Sequence, residues 1–157
     1  MVYKVAAPDW RRVTAALARK NRGYKTAFSR LEGSLPPNPV VLEEEIEEIL
    51  AHDLRRLNKF GFQLELCVKE KDGYYGRQLN CHGGHGGRID LLCYDRKEER
   101  YVVIEIKNVR ATQNTFGQIS TYVGWVQSTF RPKKSVWGVV VGRGFDARFE
   151  ASMSASR

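Results

Sequence analysis

Gly87–Lys107 reads GRIDLLCYDRKEERYVVIEIK, and the fold turns on its two apolar runs. Ile89–Tyr94 and Tyr101–Ile106 are short, rich in Ile, Val, Leu and Tyr, and separated by the charged segment DRKEER, as two strands of a β-hairpin would be. Three polar residues interrupt the pattern: Asp90, Glu105 and Lys107. An ionised side chain inside a buried strand is costly unless it is paired or holds a metal. These three residues therefore need a reason to be where they are.

Side chains alternate along a strand, so Glu105 and Lys107 share one face and Ile104 and Ile106 take the other. A symmetric hairpin sets Tyr94 opposite Tyr101, Leu92 opposite Val103 and Asp90 opposite Glu105, with opposed Cβ atoms about 4.5–5.5 Å apart. Two carboxylates that close repel each other unless a cation lies between them. Hard divalent ions such as Mg²⁺ favour oxygen ligands of this kind. Lys107 adds a positive charge beside them, and a slip of one residue in register would turn Asp90 to the far face.

The chain has 157 residues, 42% hydrophobic and 28% charged, the values of a globular domain large enough to bury a core. A net charge of +8 favours an anionic partner, nucleic acid before membrane. Cys67, Cys81 and Cys93 are odd in number and without framework spacing, so they read as reduced thiols of a cytoplasmic protein that is not secreted. No apolar segment approaches membrane-spanning length, and the N-terminus lacks the apolar core of a signal peptide.

Residues 1–40 form a basic arm. Eight basic side chains, among them Arg11, Arg12, Arg19, Lys20, Arg22 and Lys25, face two acidic ones, which leaves six of the chain's eight net positive charges here. Trp10, Val13 and Leu17 are spaced for a helix over about 9–20. Trp10, Tyr24 and Phe28 either anchor the arm to the core or, interleaved with the cations, suit phosphate contact and base stacking. Leu35–Pro39 (LPPNP) reads as a stiff linker.

Val41–Asn58 has the stripe of an amphipathic helix: Leu42, Ile46, Ile49, Leu50, Leu54 and Leu57. Its glutamates Glu43, Glu44, Glu45, Glu47 and Glu48 crowd the N-terminal turns, where the helix dipole favours negative charge, and most read as a solvated face. The run from Gly61-Phe62 to Lys69 alternates as a strand, Lys71-Asp72-Gly73 can turn the chain, and residues 74–87 read as a loop. Within it Cys81, His82 and His85 do not make a zinc site by spacing: two of the three are adjacent and no second pair follows. No Gly-Lys-Ser/Thr follows the glycines either, which excludes a P-loop. The flexible glycines can bring backbone close to the face of Asp90, where Arg88, His82 or His85 could touch a phosphate, although the two histidines read better as loop filling. Asn108–Thr115 reads as a polar connection, 115–130 as a helix with Gln118 and Tyr122 on one face, and Val136–Val141 as a buried strand stopped by Gly142-Arg143-Gly144. A short helix over 145–151 and a frayed tail, 152–157, close the chain.

Asp90 followed by Glu105-Ile106-Lys107 resembles the signature of the PD-(D/E)XK nuclease superfamily, with Ile89 in place of its Pro. The wording Gly87-Arg88-Ile89-Asp90-Leu91-Leu92, Val102–Lys107 and Gly117–Val123, the last carrying Gln-x-x-x-Tyr as Gln118 and Tyr122, is similar to the nuclease domain of the NucS (EndoMS) mismatch endonucleases over roughly residues 41–145. The resemblance implies an α/β fold, the restriction-endonuclease-like αβββαβ core with a mixed central sheet flanked by helices, as a domain of 41–151 behind the basic, partly helical arm of 1–40. It implies a Mg²⁺- or Mn²⁺-dependent DNA endonuclease. Asp90, Glu105 and the Ile106 carbonyl would bind the metal, with an acid of the first helix, Glu43 rather than Glu47. Lys107 would assist the attacking water, and Gln118 and Tyr122 would orient the lysine or the DNA. The partner is double-stranded DNA, mismatched or branched, and a homodimer is left open. Where that family carries a separate β-rich DNA-binding and dimerisation domain, this sequence has the basic arm, so junction, nicking, homing or restriction-type targets stand beside mismatches. The alternative is a non-catalytic nucleic-acid-binding module or accessory subunit that kept the fold.

Overall fold

The computed structural model describes residues 2–6, 39–69, 74–81 and 86–155. The helix expected over 9–20, the linker up to Asn38 and the turn at Lys71-Asp72-Gly73 lie outside these residues.

The hairpin forms the centre. Strands β6 (Arg88–Asp95) and β7 (Arg100–Ala111) pair antiparallel with Tyr94 opposite Tyr101 and Leu92 opposite Val103, the register that symmetric pairing demands. Strand β8 (Trp137–Phe145) lies parallel to β7 and is reached through helix α2 (Gln113–Phe130). Strand β1 (Val2–Ala6) adds in parallel to the outer side of β8, so the first residues of the basic segment belong to the sheet. The free edge of β6 is shared. Strand β2 (Leu64–Leu66) pairs with one end of it and β5 (Arg77–Asn80) with the other, which completes a six-stranded mixed sheet.

Apolar side chains cover both faces. On one, helix α1 (Pro39–His52) and the 3-10 helix Leu54–Phe60 set Ile46, Leu50, Leu54 and Leu57 against Leu91, Ile104, Ile106 and Val139. On the other, α2 and the last helix α3 (Ala147–Ala155) set Ile119, Tyr122, Val126 and Phe149 against Leu92, Val103 and Val140. Among the described residues no helix is long and apolar enough to cross a membrane.

Several boundaries differ from the sequence reading, each for a local reason. The first helix stops at His52, six residues early, because the His52 ring engages the Glu48 carbonyl and Asp53 leaves helical geometry at φ −145°. Pro39 opens that helix rather than closing the linker, in the position where its missing N–H costs nothing. The strand expected to run to Lys69 breaks at Cys67. Gly76 inserts there, its N–H bonded to the Cys67 carbonyl, while Cys67 N–H reaches the Leu92 carbonyl. A Cβ on Gly76 would lie 2.3 Å from the Leu92 oxygen and 2.8 Å from the Cys67 oxygen, so only glycine fits. Val68–Lys69 then leaves the sheet as β3 and forms a two-stranded ribbon with β4 (Tyr74–Tyr75). The chain returns as β5, where the sequence suggested loop.

The polar stretch after Lys107 is also strand. β7 continues to Ala111 through an irregularity between Lys107 and Arg110. Gly142 and Gly144 do not end β8; they pair with Lys107 and Arg110. The C-terminal helix runs on through Ser152–Ala155, started by Asp146, whose carboxylate accepts the Phe149 N–H at 2.6 Å.

Candidate active site

The β6–β7 ladder ends at Leu91 opposite Ile104. Asp90 and Glu105, the next residues on the two strands, lie where the strands stop pairing through their backbones. The Ile106 N–H is accepted instead by the Asp90 carboxylate, at 2.7 Å. A side chain has thus replaced a backbone acceptor, which fixes Asp90 at the mouth of the splayed strands.

Beside it Glu105 is 1% exposed, and its Oε1 pairs with Lys107 Nζ at 2.8 Å. Its Oε2 is buried without a hydrogen-bond donor. Burial, and then the Glu105 charge, push the Asp90 carboxyl up to about 7. Burial also raises Glu105, against the opposing pull of Lys107. For Lys107, burial disfavours the cation, but the hydrogen bond to Glu105 and the charges of Glu105, Glu43 and Asp90 outweigh it and raise its pKa. Such a cluster has too much negative charge for its depth, and a divalent cation would relieve it. The donor set therefore fits Mg²⁺ or Mn²⁺. Among the described residues no cluster of three or more His, Cys, Asp or Glu side chains is in place to hold a metal. A cation here would rest on two carboxylates and neutral oxygens.

The two helix glutamates do different things. Glu43 Oε1 accepts the Asn108 N–H at 2.8 Å, holding the irregular turn of β7 just past Lys107. Glu47 is 4% exposed. It takes Arg77 Nε at 2.6 Å and the Gln78 side-chain amide, and its charge adds to the rise at Asp90. Sequence reasoning weighed both glutamates but not their partners, because Arg77 and Gln78 fell in a segment read as loop.

On the opposite side of the sheet, Gln118 Nε2 donates to the Tyr122 hydroxyl at 3.0 Å, and the Arg88 N–H donates to the same oxygen at 3.2 Å. Tyr122 is 4% exposed beneath Gly87, which sits at φ +97°. A Cβ on Gly87 would lie 2.5 Å from the Tyr122 oxygen. The Gln-Tyr pair thus grips the backbone that leads into Asp90, while the Arg88 side chain is exposed on the surface. Cys81 is a buried free thiol. His82, His85 and the arm residues Arg11, Arg12, Arg19, Lys20, Arg22 and Lys25 lie outside the described residues.

No family model matches this sequence, and no curated protein matches it either. Solved structures do. A repair endonuclease from Pyrococcus abyssi superposes with a TM-score of 0.53 at 19% identity, covering 72% of this chain and 42% of that one. The chain shares the fold of that endonuclease over this region. An EndoMS bound to double-stranded DNA superposes with a TM-score of 0.52 at 18% identity, over 72% of this chain and 40% of its own. The present chain thus aligns with about two fifths of each of these two chains. At these identities the likeness concerns the fold, and the side chains above carry the chemical argument.

Proposed function

We propose that this protein is a metal-dependent DNA endonuclease that hydrolyses phosphodiester bonds. One observation carries the reading: the half-buried Asp90 and the buried Glu105 stand where the β6–β7 pairing ends, with Lys107 bonded to Glu105, on a fold shared with repair endonucleases. Asp90, Glu105 and the Ile106 carbonyl would hold Mg²⁺ or Mn²⁺, with Glu43 contributing through water. When bound, such an ion supplies Lewis-acid polarisation of a phosphoryl oxygen and a water of lowered pKa. Lys107 orients the attacking water and stabilises the negative charge that develops on the phosphate. Asp90 keeps its carboxylate aimed through its bond from Ile106 N–H. Gln118 and Tyr122 hold the Gly87-Arg88 backbone, which presents the Arg88 side chain to a DNA phosphate. The basic residues of 1–40 add phosphate affinity that is independent of sequence and weakens with salt. That one of the matched structures is an EndoMS–DNA complex supports double-stranded DNA as the partner.

The test is cleavage of a supercoiled plasmid and of mismatched and branched duplexes, in Mg²⁺, Mn²⁺ and EDTA. Cutting should require the metal, and Lys107→Ala should abolish it while DNA binding survives. Tight, salt-sensitive binding by the wild type with no cutting of any substrate would reject the enzyme in favour of a binding module.

A further inference from the structure

Gln78 is the residue that the loop reading concealed. Strand β5 pairs Arg77 with Leu91 and Leu79 with Ile89, so Gln78 falls between these pairs at the position facing Asp90, where the ladder itself is interrupted. Asp90 thus has Gln78 on the strand to one side and Glu105 on the strand to the other. Gln78 adopts φ +54°, a left-handed conformation uncommon for a residue with a side chain. Strain of this kind persists where surrounding contacts demand it, and it gathers at functional sites.

The contacts are visible. Arg77 and Gln78 are adjacent in a strand, yet both reach the buried Glu47, while Arg77 also pairs with Glu48 at 2.6 Å. A carboxylate only accepts hydrogen bonds, so Glu47 forces the NH₂ end of the Gln78 amide toward itself. The oxygen end must then point elsewhere. Gln78 Oε1 is buried and has no donor, and Glu105 Oε2 on the far side of Asp90 is buried and donorless too. The residues on either side of Asp90 thus each carry a buried acceptor oxygen without a donor, and such oxygens suit a hard cation. Gln78 also lines a polar cleft, together with Glu47, Arg77 and Arg88.

We propose that Gln78 Oε1 is an oxygen ligand of the divalent cation held by Asp90 and Glu105, with Arg77 and Glu47 fixing the amide so that this oxygen faces the ion. The assignment rests on the reading of Asp90 and Glu105 given above. It supplies one of the neutral oxygens that a two-carboxylate site requires.

Calorimetric titration of Mn²⁺ into the full chain tests this without reference to cleavage, with wild type, Asp90→Ala, Gln78→Gly and Gln78→Glu compared. Glycine accommodates φ +54° and so removes the side chain without backbone strain; the melting temperature of each variant shows that it is folded. Gln78→Gly should weaken Mn²⁺ binding by about tenfold or more. Gln78→Glu loses the donor to Glu47 but keeps an oxygen ligand at this position, so it should bind Mn²⁺ clearly more tightly than Gln78→Gly. Unchanged affinity in Gln78→Gly would overturn the assignment. Gln78→Glu as weak as Gln78→Gly would also overturn it, because the amide would then matter only through Glu47. Failure of the underlying site reads differently: the wild type would not bind Mn²⁺, or Asp90→Ala would bind it as well as wild type does.

Discussion

Asp90→Asn should stabilise the metal-free protein while disabling it. Burial and the neighbouring Glu105 hold the Asp90 carboxyl up at about 7, against about 4 in an unfolded chain. Because the folded-state value is the higher one, the folded protein retains a proton that the unfolded chain has already released. The resulting destabilisation begins as pH rises through about 4 and is complete above about 7. A difference of about three pH units is worth about 4 kcal/mol, and solvent reaching the carboxyl reduces it to about 1–4 kcal/mol. Asparagine carries no charge and keeps an oxygen for the Ile106 N–H. At about 2–4 °C per kcal/mol for a chain of this size, the variant should melt about 2–16 °C above wild type in EDTA at pH 8. The difference should vanish near pH 4, where both side chains are neutral. Added Mn²⁺ should raise the melting temperature of wild type by mass action and leave the variant where it was. A variant that melts below wild type in EDTA at pH 8 would refute the account of an electrostatically overloaded site.

Four further outcomes concern the scaffold. Tyr122→Phe removes the oxygen that accepts the Arg88 N–H and the Gln118 amide, and should lower stability by about 1–3 kcal/mol in urea titration. Gly87→Ala should cost more than that, yet the double variant with Tyr122→Phe should lose less than the sum, since the clashing oxygen is gone; strict additivity would show that the cost lies in the backbone at φ +97° alone. Gly76→Ala should cost about 4 kcal/mol or more, seen as lost soluble yield or a collapsed melting temperature, because the new methyl meets two carbonyl oxygens that cannot move without breaking the sheet. Asp95→Ala should destabilise by about 1–3 kcal/mol and leave Mn²⁺ affinity unchanged, since the fully buried Asp95 only ties the Gln63 and Lys97 amides at the far end of the hairpin.

The central hairpin, its register and the face shared by Glu105 and Lys107 were legible because they depend on period-two alternation and on a short connection, both local properties. The helix stripe Ile46–Leu57 and the Gln118–Tyr122 pair were legible for the same reason, at the helical period. What the chain around Asp90 looks like was not. Residues 74–80 carry too few apolar side chains to read as strand. They become strand because β2 abandons the edge of β6 at Cys67 and leaves backbone groups there to be paired. That exchange hinges on Gly76, a residue whose role depends on carbonyls far away in the chain. The polar stretch after Lys107 is strand for a similar reason, as β8 supplies partners for it and Glu43 takes the Asn108 amide that falls out of step.

By itself, then, the sequence determined which residues could carry the chemistry: Asp90, Glu105 and Lys107 sit in apolar runs where a charge has no business without a partner. Only the tertiary structure decided how those charges are kept. It places Asp90 on the Ile106 amide, divides Glu43 and Glu47 between two separate tasks, and brings β5, which carries Gln78, alongside β6 on both sides of Asp90. Alternation along a strand can be read from neighbours in the chain. Which strand comes to lie alongside is settled by backbone hydrogen bonds between segments, and those carry no side-chain signature.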